Sequence, residues 1–460
     1  MLKILIPKIC VNEYRYVLKI VFEEFLGVDY DIAYHEELFV EIKNITNDSS
    51  IIVDSVFFNM ASESWLDERN MPHLPLAICD LTHEPIFDDF LFDKVPVVYG
   101  LPSIVKKEDS YEIGIDIFGS IFFLLSRYEE AVVLERDKHS RFQSRNSIAG
   151  KSGFLDRPLV DEYIEILWCC ISTLWPEIKR NEKSFRKFIT CDVDWPTDPY
   201  VYSIKNTIRK AASDLIRNNN LKQATKTLTN FVRHKLGLSI KDIYFENVKW
   251  IMDENERVGN KVAFYFIPLN TSSLDSQVDF TSNKISSLLK EIYNRGHEIG
   301  LHPGYNCFNN EKLFFDSVSS LRSILQNLGI QQEILGGRMH FLRWDYAVTP
   351  LLWEKHGLIY DSTLSYAETA GFRCSTANEF SMYSLIERRA LTLKQRPLVS
   401  MEASIISLQY EGLQYSQESI NRFLSLKNRT CTYNGLYTLL WHNSHFDFEK
   451  DKEIYKKLIE

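Results

Sequence analysis

Short apolar runs separated by polar, helix-spaced segments recur along the whole chain. In the first part, residues 3–6, 51–53 and 97–99 read as strands, and 13–26 has the spacing of a helix that Gly27 closes. Residues 117–128 and 160–174 predict two more helices, mostly buried. The polar, charged stretch 176–187 reads as a linker. It divides the chain into an N-terminal α/β or α+β domain, 1–183, and a second domain, 184–460.

The second domain opens with a β-branched and apolar run ending at Asp192-Val193-Asp194-Trp195-Pro196, where proline stops the strand. The segment after Pro199, to about Leu238, is rich in Lys, Arg, Asn and Thr at helical spacing and reads as an insertion. A strand-helix rhythm follows. Residues 261–268 predict a buried strand, 282–295 a helix closed by Gly296, and 297–303 a strand running into a turn. A helix over 310–328 ends at Gly329, and 334–341 returns as a strand. Thr349-Pro350 opens a helix that Gly357 stops, and 358–361, 398–401 and 436–441 supply three further strands. Such repeats predict an α/β fold with a parallel sheet, open or closed into a barrel. Ligands of parallel α/β sheets sit at the carboxyl ends of the strands. There the chain places Asp192, Asp194, His302, Arg338, His340, Asp361, Glu402 and His442.

Composition narrows the partners. With 45% hydrophobic and 25% charged residues the chain is that of a soluble globular protein, and at −9 it offers no basic run for phosphates, which excludes nucleic acid. Eight cysteines without a C-x-x-C spacing fit reduced, cytoplasmic usage. The N-terminal apolar run is too short for a signal peptide, and the run 117–125 is far short of a membrane span. The charge-dense stretch 136–142 is expected to be a solvated loop, and no catalytic motif is expected in the first domain.

Alternation along an extended chain turns Asp192 and Asp194 to one side. Two carboxylates so close repel unless a cation, a shared proton or an arginine separates them. A polar turn is the plain explanation of that pair alone, and the residues that follow it in the chain make it informative.

With those residues together, the second domain resembles the polysaccharide deacetylases of the NodB-homology type, over roughly 185–450. Thr190-Cys191-Asp192-Val193-Asp194 resembles their first motif, and Gly296-His297-Glu298-Ile299-Gly300-Leu301-His302 their second. Gly337-Arg338-Met339-His340-Phe341 resembles their arginine motif, Tyr360-Asp361-Ser362-Thr363 a recurrent segment, and Leu440-Trp441-His442 their last motif. The resemblance implies a distorted (β/α) barrel that removes acyl groups, usually N-acetyl, from an acylated sugar or polysaccharide precursor with a divalent metal. Zn is the expected ion, with Mn, Mg or Co as alternatives. It implies Asp192 as general base, Arg338 orienting it, His442 as general acid, and Asp194 and His302 as metal ligands. Asn306 stands where the family has a further histidine ligand, and an asparagine oxygen is a weak zinc donor. Glu402, His340 and His445 are candidate substitutes for it. Trp195, His340, Asp361 and Glu402 are candidate substrate contacts, and His297 is assigned a structural role. In the first domain, Asp116-Ile117-Phe118-Gly119 and Phe154-Leu155-Asp156-Arg157-Pro158 resemble an uncharacterised region that precedes such domains in some bacterial proteins. The alternative reading is a carbohydrate-binding protein whose metal site has degraded at Asn306.

Overall fold

The computed structural model describes all 460 residues except 46–48, 83–84, 88–91, 217–220, 239, 241 and 447. Six strands from the first 115 residues form one mixed sheet, ordered Tyr30–His35, Leu2–Pro7, Phe39–Asn44, Ser50–Asp54, Ser110–Ile115, Gly100–Lys106. The run expected as a strand at 97–99 bends instead. Lys94–Val97 pairs with Ala77–Asp80, and the chain turns at Val98-Tyr99 into the sheet edge. The helix expected over 13–26 starts as Val11–Leu18, continues as the π-helix Lys19–Leu26 and ends at Gly27 with φ 64°.

The second sheet has nine strands. Their order is Phe380–Ser384, Arg389–Gln395, Tyr360–Asp361, Gly336–Gly337, Glu298–Leu301, Val262–Phe266, Arg186–Val193, Leu436–Leu440, Ser400–Met401. The first pair is antiparallel and every other pairing is parallel. Among the described residues no ladder joins the two outer strands, so hydrogen bonding does not close this sheet into the expected barrel. Val262–Phe266 is buried along its whole length, as a central parallel strand requires.

The strand expected over 334–341 shrinks to Gly336–Gly337. A Cβ on Gly337 would lie 1.8 Å from the Leu301 carbonyl oxygen, so only glycine allows this approach of the two backbones. The chain then leaves the sheet, and Phe341 and Leu342 take left-handed φ values of 62° and 55°.

The irregular stretch after the helix Leu159–Leu174 leads into the strand Arg186–Val193. On either side of it, one continuous apolar core runs through both sheets. Tyr383 meets Tyr16 and Phe122 with ring centroids 4.9 and 5.0 Å apart. Four buried charges also cross here. Arg127 donates to Glu129 (2.6 Å) and Glu130 (2.8 Å), and Arg373 donates to Glu130 at 3.0 and 2.6 Å. All eight cysteines are free, and no helix of the described residues is long and apolar enough to cross a membrane.

His297, assigned above to structure, is buried. Its Nδ1 accepts from the Val262 N–H at 3.1 Å and its Nε2 faces Glu256 at 3.1 Å. Burial and the charge of Lys261 depress its pKa to about 4, against the opposing pull of Glu256. A neutral ring is what the accepted Val262 bond needs.

Candidate metal and catalytic centre

Asp192 lies at the end of the strand Arg186–Val193, and Asp194 stands one residue beyond it. Arg338, fully buried, binds Asp192 Oδ1 through Nη1 at 2.7 Å and Thr190 Oγ1 at 3.0 Å. Its Nε and Nη2 donate to the Ser362 carbonyl (2.9 Å) and hydroxyl (3.0 Å). With four bonds fixing the guanidinium, Asp192 has one oxygen committed and Oδ2 turned towards His302, 3.8 Å from its Nε2.

Two histidines point the same kind of atom at Asp194. His302 Nδ1 donates to the Arg338 carbonyl at 2.5 Å, and His340 Nδ1 donates to Asp275 Oδ1 at 2.7 Å. A neutral imidazole protonated at Nδ1 keeps a lone pair on Nε2. Those two Nε2 atoms lie 3.2 Å (His302) and 3.8 Å (His340) from Asp194 Oδ1, a buried oxygen without a hydrogen-bond partner. The three donor atoms lie within 4.8 Å of one another. Two imidazole lone pairs and a carboxylate oxygen, each imidazole held from behind, are a donor set that fits a divalent cation. The electrostatics agree. Burial alone would lower the pKa of His302, but Asp192 and Asp194 raise it; His302, His340 and His442 hold Asp194 well below the usual carboxylate range despite its burial. The cluster attracts positive charge.

Asn306, expected as the third ligand, makes its hydrogen bonds to Thr271. It is exposed, and its Nδ2 donates to the Thr271 carbonyl at 2.7 Å while its N–H donates to Thr271 Oγ1 at 3.0 Å. His340 is the residue that groups with Asp194 and His302.

Glu402 and His442 also meet here. His442 Nδ1 donates to Glu402 Oε1 at 2.5 Å, and its Nε2 lies 3.9 Å from Asp194 Oδ2. Burial opposes protonation of His442, but the Glu402 carboxylate outweighs it and raises the pKa to about 10. His445 Nδ1 stands 2.7 Å from the same Glu402 oxygen. Two histidines thus share Glu402 Oε1, while Oε2 of the same carboxylate is buried without a hydrogen-bond partner. Asp361, also expected at a substrate, is fully buried and accepts from the Thr363 N–H at 2.8 Å; burial raises its pKa to about 6. Trp195 is half-buried beside Asp194, its carbonyl accepting from Asn443 Nδ2 at 2.9 Å.

Two supports of the site have no mark in the sequence. Asp275 lies in a loop, accepts from His340, from the Tyr305 N–H (2.8 Å) and from Thr271 (2.7 and 2.8 Å), and is held at a pKa of about 2 against its burial, chiefly by His340. Gly304 lets this knot close, since a Cβ there would lie 2.7 Å from both Asp275 and Thr271. The other support is the charge-dense stretch 136–142, which is docked rather than solvated. The His139 ring lies 4.9 Å from that of Phe341, tilted by 45°, and its Nδ1 meets the Tyr305 hydroxyl at 3.1 Å. Arg141 donates to the Phe341 carbonyl (3.3 Å), and Arg343 donates to the His139 carbonyl (2.8 Å). Phe341 follows His340 in a left-handed conformation that costs roughly 1–2 kcal/mol. A loop of the first sheet's half therefore braces the strained turn that aims His340.

Residues 2–176 match a family of unknown function, DUF7033. A solved structure described as "Crystal structure of putative polysaccharide deacetylase from Mycobacterium smegmatis" is similar at 14% identity and a TM-score of 0.39, covering 62% of this chain and 84% of its own. No curated protein matches the chain.

Proposed function

We propose that this protein is a metal-dependent hydrolase that removes an acyl group, N-acetyl in the first instance, from a sugar or polysaccharide precursor. The observation that carries the reading is the meeting of Asp194, His302 and His340 on one point, flanked by Asp192 and His442. The motif order along the chain supports the same reaction.

Asp194, His302 and His340 are the residues that would hold the cation. A divalent ion there supplies Lewis-acid polarisation of the acyl carbonyl and a lowered pKa for water. Asp192, fixed by Arg338, takes the proton from the attacking water through its free oxygen. An amine leaves poorly unless protonated, and His442, kept as imidazolium by Glu402, carries the proton that it needs. Water and the amide thereby become a carboxylate and a sugar amine. Glu402 holds the acid in place, and Arg338 holds the base. Zn suits two imidazoles and a carboxylate, ahead of Mn, Mg or Co.

The argument for a degraded, merely sugar-binding site was Asn306. A site built on His340 does not require residue 306. Release of acetate from acetamido sugars and their oligomers tests the reading. The expected result is release that a chelator stops and added Zn restores. No release from any acetamido sugar by the zinc-loaded protein would overturn it.

A further inference from the structure

We infer that the helical hairpin following the strand of Asp192 is a docking surface for an anionic lipid bilayer. The hairpin consists of Ile204–Ile216 and Leu221–Lys235, which pack on each other and on the turn Pro199–Tyr202. Its seam is built from small and polar residues: Thr207, Ala211 and Asp214 are buried on one helix, and Ala224, Thr227 and Asn230 on the other. The large apolar residues bordering that seam stay exposed. Ile204, Ile208 and Leu215 form one stripe at helical spacing, Leu221, Leu228 and Val232 a second, and all six are exposed, Ile204 and Leu221 by 61% and 67%. Exposed apolar stripes of this length are uncommon on surface helices, and among the described residues none covers this one.

Charge identifies the partner of this face. Residues 203–238 carry eight Lys and Arg against one carboxylate, Asp214, in a chain whose net charge is −9. Lys205 and Arg209 directly follow Ile204 and Ile208 and are exposed, about 100° round the helix from the apolar stripe. Lys235 is exposed beside the second stripe. Apolar side chains that enter the acyl boundary, rimmed by long basic side chains that reach headgroup phosphates, are the composition of an interfacial helix. Tyr202 adds an exposed aromatic ring, 5.0 Å from His234. A second copy of this chain is disfavoured as occupant, because two such faces would bring the basic surplus of one against that of the other.

The hairpin grows from the loop after Asp194, at the strand end that carries the candidate centre. Docking would hold that centre near sugars borne on membrane lipids. This consequence rests on the hydrolase reading; the docking itself does not.

The test is co-sedimentation of the full chain with vesicles, read without turnover. Binding is expected to mixed phosphatidylcholine–phosphatidylglycerol vesicles, to fall at high salt, and to be weak on phosphatidylcholine alone. The double variant Ile208→Glu/Leu228→Glu should weaken it about tenfold or more while the circular dichroism spectrum stays unchanged. Lys205→Glu/Arg209→Glu should act in the same direction. Absence of binding to the mixed vesicles, or binding indifferent to both variants, would overturn the proposal. So would a wild-type dimer in solution that Ile208→Glu/Leu228→Glu dissociates, which would assign the face to a second copy.

Discussion

Asp192→Asn is expected to lower the rate of acyl hydrolysis by about 10²–10⁴-fold, the usual contribution of a positioned general base. The substitution is nearly isosteric and keeps an oxygen for Arg338 Nη1, so the four bonds of that guanidinium can persist. What disappears is the carboxylate that accepts the proton. Zinc content should change little, because Asp192 lies outside the set formed by Asp194, His302 and His340. Steady-state acetate release beside metal analysis of the same preparation separates the two effects. Turnover equal to wild type would remove Asp192 from the reaction. Loss of metal together with rate would make it a ligand instead.

The second large effect concerns stability. Glu130→Ala is expected to cost about 3–5 kcal/mol, because it strips the shared carboxylate from two arginines inside the protein. Arg127, Arg373, Glu129 and Glu130 are each no more than 2% exposed, so water cannot replace what is lost. Burial alone would raise the pKa of Glu130, yet Arg373 and Arg127 bring it down to about 2, a measure of how firmly the ion is held. Glu130 belongs to the half that carries the first sheet, and Arg373 to the half that carries the second. Removing both, as Glu130→Leu/Arg373→Met, should cost less than the sum of the single changes, since the two charges that remain, Arg127 and Glu129, still pair with each other. Urea denaturation reads both quantities. A Glu130→Ala cost under about 1 kcal/mol would mean that water or a local shift satisfies the arginines.

Much of the centre was legible because it follows local rules. Asp192 and Asp194 are marked by a strand that proline stops, and Arg338, Glu402 and His442 each stand at a strand end next to recognisable neighbours. Parallel pairing does the rest, since it brings the carboxyl ends of separate strands together whatever lies between them. Asn306 sits at the spacing of a ligand, and its N–H and Nδ2 both donate to Thr271. His340 was harder to place. Its direction depends on the glycine approach at Gly337, on the left-handed turn at Phe341, on Asp275 from a loop and on His139 and Arg141 from the other half of the chain. None of these leaves a periodic trace. The stretch 136–142 shows the same limit, because a run of charges reads alike whether water or buried partners satisfy it. The hairpin of Phe380–Ser384 and Arg389–Gln395 extends the sheet by an antiparallel pair that the strand-helix rhythm could not announce.

Equilibrium zinc titration of the wild type beside His340→Ala and Asn306→Ala tests the central claim most directly. If Asp194, His302 and His340 hold the ion, His340→Ala should weaken zinc by more than the roughly 10–100-fold that loss of an outer-shell partner costs. Asn306→Ala should leave the affinity close to that of the wild type. Equal binding by wild type and His340→Ala, or a loss in Asn306→Ala as large as that in His340→Ala, would contradict the account.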